Sequence, residues 1–421
     1  MLFVLVKNAV TARFSDEAIS VREAAVSLVG TYVVHSPAVA NAFHSAFLTG
    51  LKDTGVSVRK RTVKILQDIL CSNSSYKGRA SACSEMLRLA ADPKEDDGVR
   101  DLIHDLFMKL WLENGEERVE QEVAISPTAP SPMSKGLMSP SKAFDVEERQ
   151  IHGANAGLVT PTPPQRLPAV ATSSAKSTRS LARKNQSTRM RQRSEIASEQ
   201  MVEVVKAANT GDNLTSLLRE LLSGVADADK DRKASERRKR KVIAQSHCAM
   251  LVDSLFEILL SVEERKSKLA ENFGRELVST IRTIRVFTDV SPPVVLRHLD
   301  TLLPYLKADN GVSLEEDAAI VGAICDILTR LSLVFDAELV EKLGAGSLGD
   351  DLERITYKFG PSALSSAVRA LCSLAHHKDA GEESPFRKKL LKLAKTFYNL
   401  LLKYLDNDDL GTMRVSYSLN S

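Results

Sequence analysis

Two short segments decide the fold, Asp16-Glu-Ala-Ile-Ser-Val-Arg22 and Asp53-Thr-Gly-Val-Ser-Val-Arg59, which share an aspartate followed by Ser-Val-Arg at an offset of 37 residues. A third Val-Arg pair, Val99-Arg100, follows an acidic turn after a further 41 residues. Apolar residues recur downstream of each pair at three- and four-residue spacing, which is typical of an amphipathic helix. The segments therefore predict helix pairs that repeat about every 40 residues.

A period near 40, with two helices per unit and an Asp…Val-Arg between them, is the HEAT pattern. We expect each aspartate to accept backbone N–H groups at the start of the second helix, each valine to close the helix pair, and each arginine to reach the aspartate of a neighbouring unit. A single pair leaves one face uncovered, so the units must stack, which predicts an all-α HEAT-repeat α-solenoid. The signature residues are Asp16, Val21, Arg22, Asp53, Val58, Arg59, Val99 and Arg100.

Composition divides the chain of 421 residues, whose net charge is only +3. Residues 126–200 hold eight of the 15 prolines and eleven basic against five acidic residues. Such a segment buries too little apolar surface to offset its ordering entropy, so we predict a disordered insertion at 115–198. The other predicted segments are HEAT repeats at 1–114, a helical HEAT-like solenoid at 199–406 and a tail at 407–421.

The repeat segments resemble a known family. Residues 14–30, 53–66 and 106–111 are similar to the HEAT segment of the adherins, the Nipped-B-like sister chromatid cohesion proteins that load cohesin. A looser resemblance extends over residues 213–405. Adherins are far longer, so the chain looks like part of a longer protein.

The resemblance implies a function. A chain of this kind would be a non-enzymatic scaffold in the nucleus, associated with chromatin. It would hold double-stranded DNA, the cohesin kleisin subunit and the cohesin ATPase heads together. The partner subunit of the loader would bind only through regions that this chain lacks. The alternative is a generic HEAT adaptor, of the phosphatase-scaffold or nuclear-transport-receptor type, which binds protein without DNA.

Two basic clusters are candidate contact sites. Lys60, Arg61 and Lys64 lie at the start of one predicted helix and form either a solvated face or contacts to the DNA backbone. Arg237, Arg238, Lys239, Arg240 and Lys241 fit a nuclear localisation signal or the polar start of a helix. No aromatic residue interleaves either cluster, so base stacking is not expected.

Five proline-directed sites lie in the predicted insertion. Each phosphate would add about −1.5 to −2 charges and offset the basic charge of that segment. The candidate phosphorylation sites are Ser126, Ser131, Ser139, Thr160 and Thr162.

One motif suggests an enzyme. Gly344-Ala-Gly-Ser-Leu-Gly349 fits G-x-G-x-x-G, but a dinucleotide site needs a strand before the motif, and residues 336–343 read as helix. Asp350 and Asp351 would also put negative charge where the phosphate of a dinucleotide would lie. The other interpretation is a loop in which one of these two aspartates caps the next helix. No metal-ligand spacing and no bilayer-length apolar run occur in the sequence. We therefore expect no catalytic site, cofactor, metal or membrane partner.

Overall fold

The computed structural model describes residues 2–33, 36–72, 75–112, 174–208, 210–223, 231–266, 272–307, 309–359, 361–377 and 384–406. Within these ranges the chain forms helices and turns, and no residue lies in a β-strand. The predicted phosphorylation sites, most of the predicted insertion and the predicted tail lie outside the described residues.

The first seven helices form the three units predicted from the repeat. A π-helical turn, Met108–Leu112, follows the last of them. The helices are α1 (Leu2–Arg13), α2 (Ile19–Val33), α3 (Pro37–Ala42), α4 (His44–Leu51), α5 (Val56–Ser72), α6 (Arg79–Ala91) and α7 (Asp97–Phe107).

The second helical block has eleven described helices. Short 3₁₀ turns, Leu303–Lys307 and Ser332–Val334, follow α13 and α14. The helices are α8 (Ser174–Ala208), α9 (Gly211–Ser223), α10 (Asp231–Glu264), α11 (Phe273–Val290), α12 (Pro292–Leu296), α13 (Leu299–Leu302), α14 (Leu314–Leu331), α15 (Ala337–Ala345), α16 (Leu348–Lys358), α17 (Pro361–Ala375) and α18 (Pro385–Asp406).

The helices pack in two rows. One row runs through α4, α6, α9, α11, α14 and α17, and each of these packs against the next. The other row contains α2, α5 and α7, then the π-helical turn, α10 and α12, and finally α16 and α18. This two-layer stack is the predicted HEAT-repeat solenoid.

The core of α5 follows the predicted helical spacing. Val58, Ile65 and Leu66 are buried, and Cδ1 of Ile65 lies so close to α2 that a Cβ at Gly30 would stand 2.5 Å from it. The prediction that Val21 closes the first helix pair is wrong, because Val21 is 36% exposed. Its equivalents in the next two units, Val58 and Val99, are buried.

The predicted insertion ends earlier than expected. Helix α8 begins at Ser174, and its last turns bury Ser194 and Ser198. The Oγ of Ser198 donates to the carbonyl oxygen of Leu251 at 3.0 Å, and the Oγ of Ser194 lies 2.9 Å from that of Ser254. Small hydroxyl side chains allow this close helix packing. The prediction of disorder up to residue 198 rested on how little apolar surface the segment as a whole could bury, and it did not anticipate packing through serine hydroxyl groups.

The two helical blocks, predicted as separate segments, form one compact unit made of Met1–Asn114 and Arg189–Ser421. Trp111 Nε1 donates to Gln200 Oε1 at 3.3 Å across the junction. Ser84 Oγ donates to the carbonyl oxygen of Val204 at 3.4 Å. The solenoid therefore continues from α6 and the π-helical turn into the second block, although a long segment of chain separates them in sequence.

Candidate interaction surface

The aspartates of the signature stabilise the turns between paired helices. Asp53 Oδ1 accepts the N–H of Gly55 at 2.7 Å, and Asp16 Oδ1 accepts the N–H of Ala18 at 3.1 Å. Each bond joins a residue to the backbone two positions on, at the start of a helix. The expected role of these aspartates is confirmed.

Arg22 connects its own turn with the next unit. Its Nε and Nη2 donate to the two carboxylate oxygens of Asp53 at 2.6 and 2.8 Å. Its Nη1 donates to the backbone oxygens of Asp16 and Glu17 at 2.7 and 3.0 Å. Burial favours the neutral carboxyl, yet the bonds from Arg22 and Gly55 hold the pKa of Asp53 below its ordinary value. The paired charges therefore fix the spacing between the first two units.

Arg59 makes the equivalent contact to the third unit, but with a different acid. Its Nε and Nη2 donate to Glu95 Oε1 at 3.1 and 2.8 Å, while Nη1 donates to the backbone oxygen of Asp53 at 2.6 Å. The prediction that Arg59 pairs with an aspartate is wrong. Glu95, one position before Asp96, accepts instead, because its side chain is longer. Asp96 instead pairs with Lys60 at 2.7 Å, and that contact lowers its pKa.

The second block carries its own ion pairs between units. Arg285 bridges Asp212 on α9, at 3.0 Å, and Asp326 on α14, at 2.9 Å. Asp326 also accepts from Arg369 on α17 at 2.9 Å. Lys358 reaches the buried Asp317 at 2.9 Å. The Arg285–Asp326 and Lys358–Asp317 pairs each join residues 41 positions apart, and the Arg369–Asp326 pair joins residues 43 positions apart. The repeat of about 40 residues therefore continues into the second block, where the sequence shows no Asp…Val-Arg signature.

A polar groove of about 640 Å³ lies along these pairs. Its walls come from four neighbouring helices of one row, α9, α11, α14 and α17. Three arginines and three aspartates line it together with one threonine, so its charge is balanced and its cations are paired. The lining residues are Asp212, Arg285, Asp289, Asp326, Thr329, Arg330 and Arg369.

The three candidate DNA-contact residues occupy different environments on α5. Lys64 is exposed, Arg61 is half-buried, and Lys60 is held by Asp96. The neighbouring α7 presents three exposed acids, at Asp97, Asp101 and Asp105. The sequence placed the three basic residues together but could not show this acidic neighbour. Contact between α5 and DNA stays a prediction.

The second basic cluster, Arg237–Lys241, lies in the first half of α10. That helix begins at Asp231, so the cluster lies inside the helix and not before it. The side chains of the cluster lie outside the described residues. Its role as a nuclear localisation signal stays a prediction.

The glycine motif connects two helices. Helix α15 ends within the motif at Ala345 and α16 begins at Leu348, so a helix stands where a dinucleotide site needs a strand, and that interpretation is wrong. Neither predicted aspartate occupies the cap position, which is Ser347. Asp351 accepts from Ser347 Oγ at 2.8 Å, and Asp350 pairs with Lys389 on α18. Both carboxylates therefore stabilise the solenoid.

The described part of the chain holds no group of three or more metal-ligating side chains. None of its helices is both long and apolar enough to cross a bilayer.

One basic surface went unnoticed in the sequence. Helix α18 contains six basic residues and one acidic residue, Asp406, at its last position. The signal was available as a charge count over a single helix. Five of the six basic residues lie within residues 387–395, and three of them, Arg387, Lys388 and Lys389, are consecutive.

Comparison with known proteins shows which proteins this chain is similar to. A family profile described as a HEAT repeat associated with sister chromatid cohesion matches residues 5–29. The human Nipped-B-like protein is 26% identical over 371 residues, which cover 87% of this chain and 10% of that protein. The chain is similar to the Nipped-B-like proteins. The Drosophila melanogaster Nipped-B protein is 40% identical over 103 residues, which cover 24% of this chain and 5% of that protein.

A solved structure agrees with this result. The C-terminal fragment of the Chaetomium thermophilum cohesin loader SCC2 matches with a TM-score of 0.55 and 16% identity, over 98% of this chain and 22% of that chain. At that identity the match concerns the fold alone. The predicted resemblance to Nipped-B-like proteins and the HEAT solenoid are confirmed. The chain spans about a tenth of the length of these curated relatives.

Proposed function

We propose that this chain is a non-enzymatic HEAT scaffold that promotes the loading of cohesin in sister chromatid cohesion. The observation that carries the proposal is the similarity to Nipped-B-like proteins over 87% of the chain. The solenoid supports it, because buried Arg–acid contacts hold successive units at fixed spacing and present a long surface on rigid helices.

The proposed partners are the cohesin kleisin subunit, the cohesin ATPase heads and the backbone of double-stranded DNA, in chromatin of the nucleus. The ATPase that the scaffold stimulates would belong to cohesin. Pull-down of purified cohesin subunits by the full chain tests this assignment. Retention of neither the kleisin nor the heads would refute it.

The DNA contact has its own test. Lys64 is the exposed member of the α5 cluster, so Lys64→Glu changes charge without breaking the Lys60–Asp96 pair. If Lys64 contacts a phosphate, the slope of log K against log salt should fall by about 1 for duplex DNA. Lys94→Glu, at another exposed lysine, is the matched control and should leave the slope unchanged.

A protein-only adaptor is the second candidate. The exposed acids Asp97, Asp101 and Asp105 favour it, because they lie on the helix beside the α5 cluster and would repel phosphate. Under this alternative Lys64→Glu and Lys94→Glu behave alike in the DNA titration. Binding of cohesin subunits would then decide between a cohesin scaffold without DNA contact and a generic adaptor.

A further inference from the structure

The polar groove between α9, α11, α14 and α17 presents arginines that aspartates hold in place. Arg330 on α14 pairs through Nε with Asp289 on α11 at 2.8 Å. Arg369 on α17 pairs through Nη2 with Asp326 on α14 at 2.9 Å, and the same nitrogen donates to Ser366 Oγ at 3.0 Å. The side chain of Arg330 is 58% exposed and that of Asp289 only 15%. Helix α14 packs between α11 and α17, so described helices flank Arg330 on both sides.

A third arginine of the groove shows that one guanidinium group can serve two acids here. Arg285 on α11 pairs with Asp326 through Nη1 at 2.9 Å and with Asp212 through Nη2 at 3.0 Å. Within the described part of the chain, Arg330 and Arg369 each pair with a single acid. Because a guanidinium group has five N–H donors in a planar fork, both arginines keep N–H groups for a second carboxylate.

The spacing of these two arginines matches an extended peptide. Arg330 and Arg369 lie on neighbouring helices of one row, and packed helices stand about 8–10 Å apart. Residues of an extended segment advance about 3.3 Å each, so two acids three positions apart span that distance. A segment that crosses α14 and α17 therefore brings one acid to each arginine.

The other charges of the groove disfavour a polyanion. Asp212, Asp289 and Asp326 line the groove, and the side chain of Asp212 is 81% exposed, so a continuous row of phosphates would meet three carboxylates. Arg282, one turn before Arg285 on α11, adds one cation close to the lining. The charge of this region is thus close to balance, which favours a ligand with a few separate acids. Small-molecule sites, by contrast, have mostly apolar walls.

We propose that the polar groove docks an extended acidic peptide segment of a protein partner, with two Asp or Glu residues three positions apart. One carboxylate pairs with Arg330 and the other with Arg369, while each arginine keeps its own aspartate. A phosphoryl group carries a charge of about −1.5 to −2 and would be repelled more strongly by Asp289 and Asp326. The proposal does not depend on the function proposed above.

Fluorescence anisotropy of labelled peptides with the full chain at low salt tests the proposal. The binding peptide has the pattern Glu-x-x-Glu in a Gly/Ser background, and the comparison ligands are Gln-x-x-Gln, a peptide of the same composition with adjacent glutamates, and a short DNA duplex. R330Q/R369Q removes both guanidinium groups, and R330K/R369K keeps the charge without the fork. The matched control is R297Q/R354Q, outside the groove, because these arginines are 55% and 66% exposed and each pairs with an aspartate.

We expect the Glu-x-x-Glu peptide to bind the unchanged chain and R297Q/R354Q equally, and to bind R330Q/R369Q about tenfold or more weakly. R330K/R369K should also bind weakly, since one ammonium group does not offer separate N–H edges to two acids. Binding should fall as the salt concentration rises. Far-UV circular dichroism verifies that the variants fold, and the lysine variant keeps a cation beside each aspartate.

Four results would overturn the proposal. The first is no binding of Glu-x-x-Glu to the unchanged chain, or equal binding of Gln-x-x-Gln. The second is equal binding of the peptide with adjacent glutamates, which would remove the argument from spacing. The third is a loss in R297Q/R354Q as large as that in R330Q/R369Q, which would make the effect one of overall charge. The fourth is stronger binding of the duplex that R330Q/R369Q abolishes, which would make the groove a phosphate contact.

Discussion

A close contact between the first two units predicts opposite effects for two glycine-to-alanine substitutions. A Cβ at Gly30 would stand 2.5 Å from Cδ1 and 2.8 Å from Cγ1 of the buried Ile65. A Cβ at Gly322 in α14 would meet nothing nearer than the Cα of Ala363, at 4.0 Å. Both glycines lie in helices, so the matched pair separates the steric effect from helix propensity.

The magnitudes follow from these distances. Alanine in place of a helical glycine gains up to about 1 kcal/mol. At Gly322 that gain stands alone, so Gly322→Ala should raise the free energy of unfolding by about that amount. At Gly30 the crowding of Ile65 costs about 1–3 kcal/mol. Gly30→Ala should therefore be neutral or destabilising by up to about 2 kcal/mol.

A double-mutant cycle makes the reasoning refutable. Ile65→Ala alone should cost about 2–5 kcal/mol through the cavity it leaves. In that background the methyl group added by Gly30→Ala enters vacated space, so this substitution should become stabilising, with a coupling of about 1–3 kcal/mol. Urea unfolding followed by far-UV circular dichroism measures each variant, and hydrogen exchange in α2 and α5 localises the change. Additive effects, or equal stabilisation by both glycine substitutions, would refute the α2–α5 contact.

Three further predictions concern ion pairs and thiols. Arg22 keeps the pKa of Asp53 in the folded chain below the value of about 3.9 that an aspartate has in the unfolded chain. The pair therefore stabilises the fold at pH values above about 3.9, and this stabilisation is lost as the pH falls through the folded-state pKa of Asp53. Asp53→Asn should lower the free energy of unfolding at pH 7. Thermal melts at a series of pH values should then show a smaller loss of stability at acid pH than the unchanged chain shows. Asp326→Asn removes two half-exposed pairs at once and should cost about 1 kcal/mol in low salt and less in about 0.5 M salt, measured by urea unfolding. Burial raises the pKa of both Cys83 and Cys248 to about 12. A thiol reagent at pH 8 should therefore leave both residues unlabelled in the folded chain and label them in urea, and mass spectrometry measures the labelling.

The contacts between helix pairs could be predicted from the sequence where one unit repeats the residues of another. The aspartate turns and the reach of Arg22 to Asp53 followed from the offset of 37 residues, and the structure has both. The errors arose where a contact depends on a neighbour that the repeat does not specify. Exposure of Val21 depends on what lies beside α2, and Glu95 replaced the expected acceptor because side-chain length decided the pairing.

The second block shows a different limit of sequence reasoning. Its helices were predicted from periodicity, but its repeat was not, because no shared tripeptide marks the units. The period appears instead in pairs of opposite charge such as Arg285 with Asp326 and Lys358 with Asp317, each 41 residues apart. Such pairs can be recognised only after the helix rows show which residues face each other.

The two sets of ion pairs differ in burial, and this difference bears on how the solenoid behaves. The side chains of Arg22 and Asp53 are only 11% and 6% exposed, whereas those of Arg369 and Asp326 are 61% and 22% exposed. Salt screens exposed pairs much more than buried ones. Salt should therefore weaken the Arg369–Asp326 pair along the polar groove more than the Arg22–Asp53 pair between the first units.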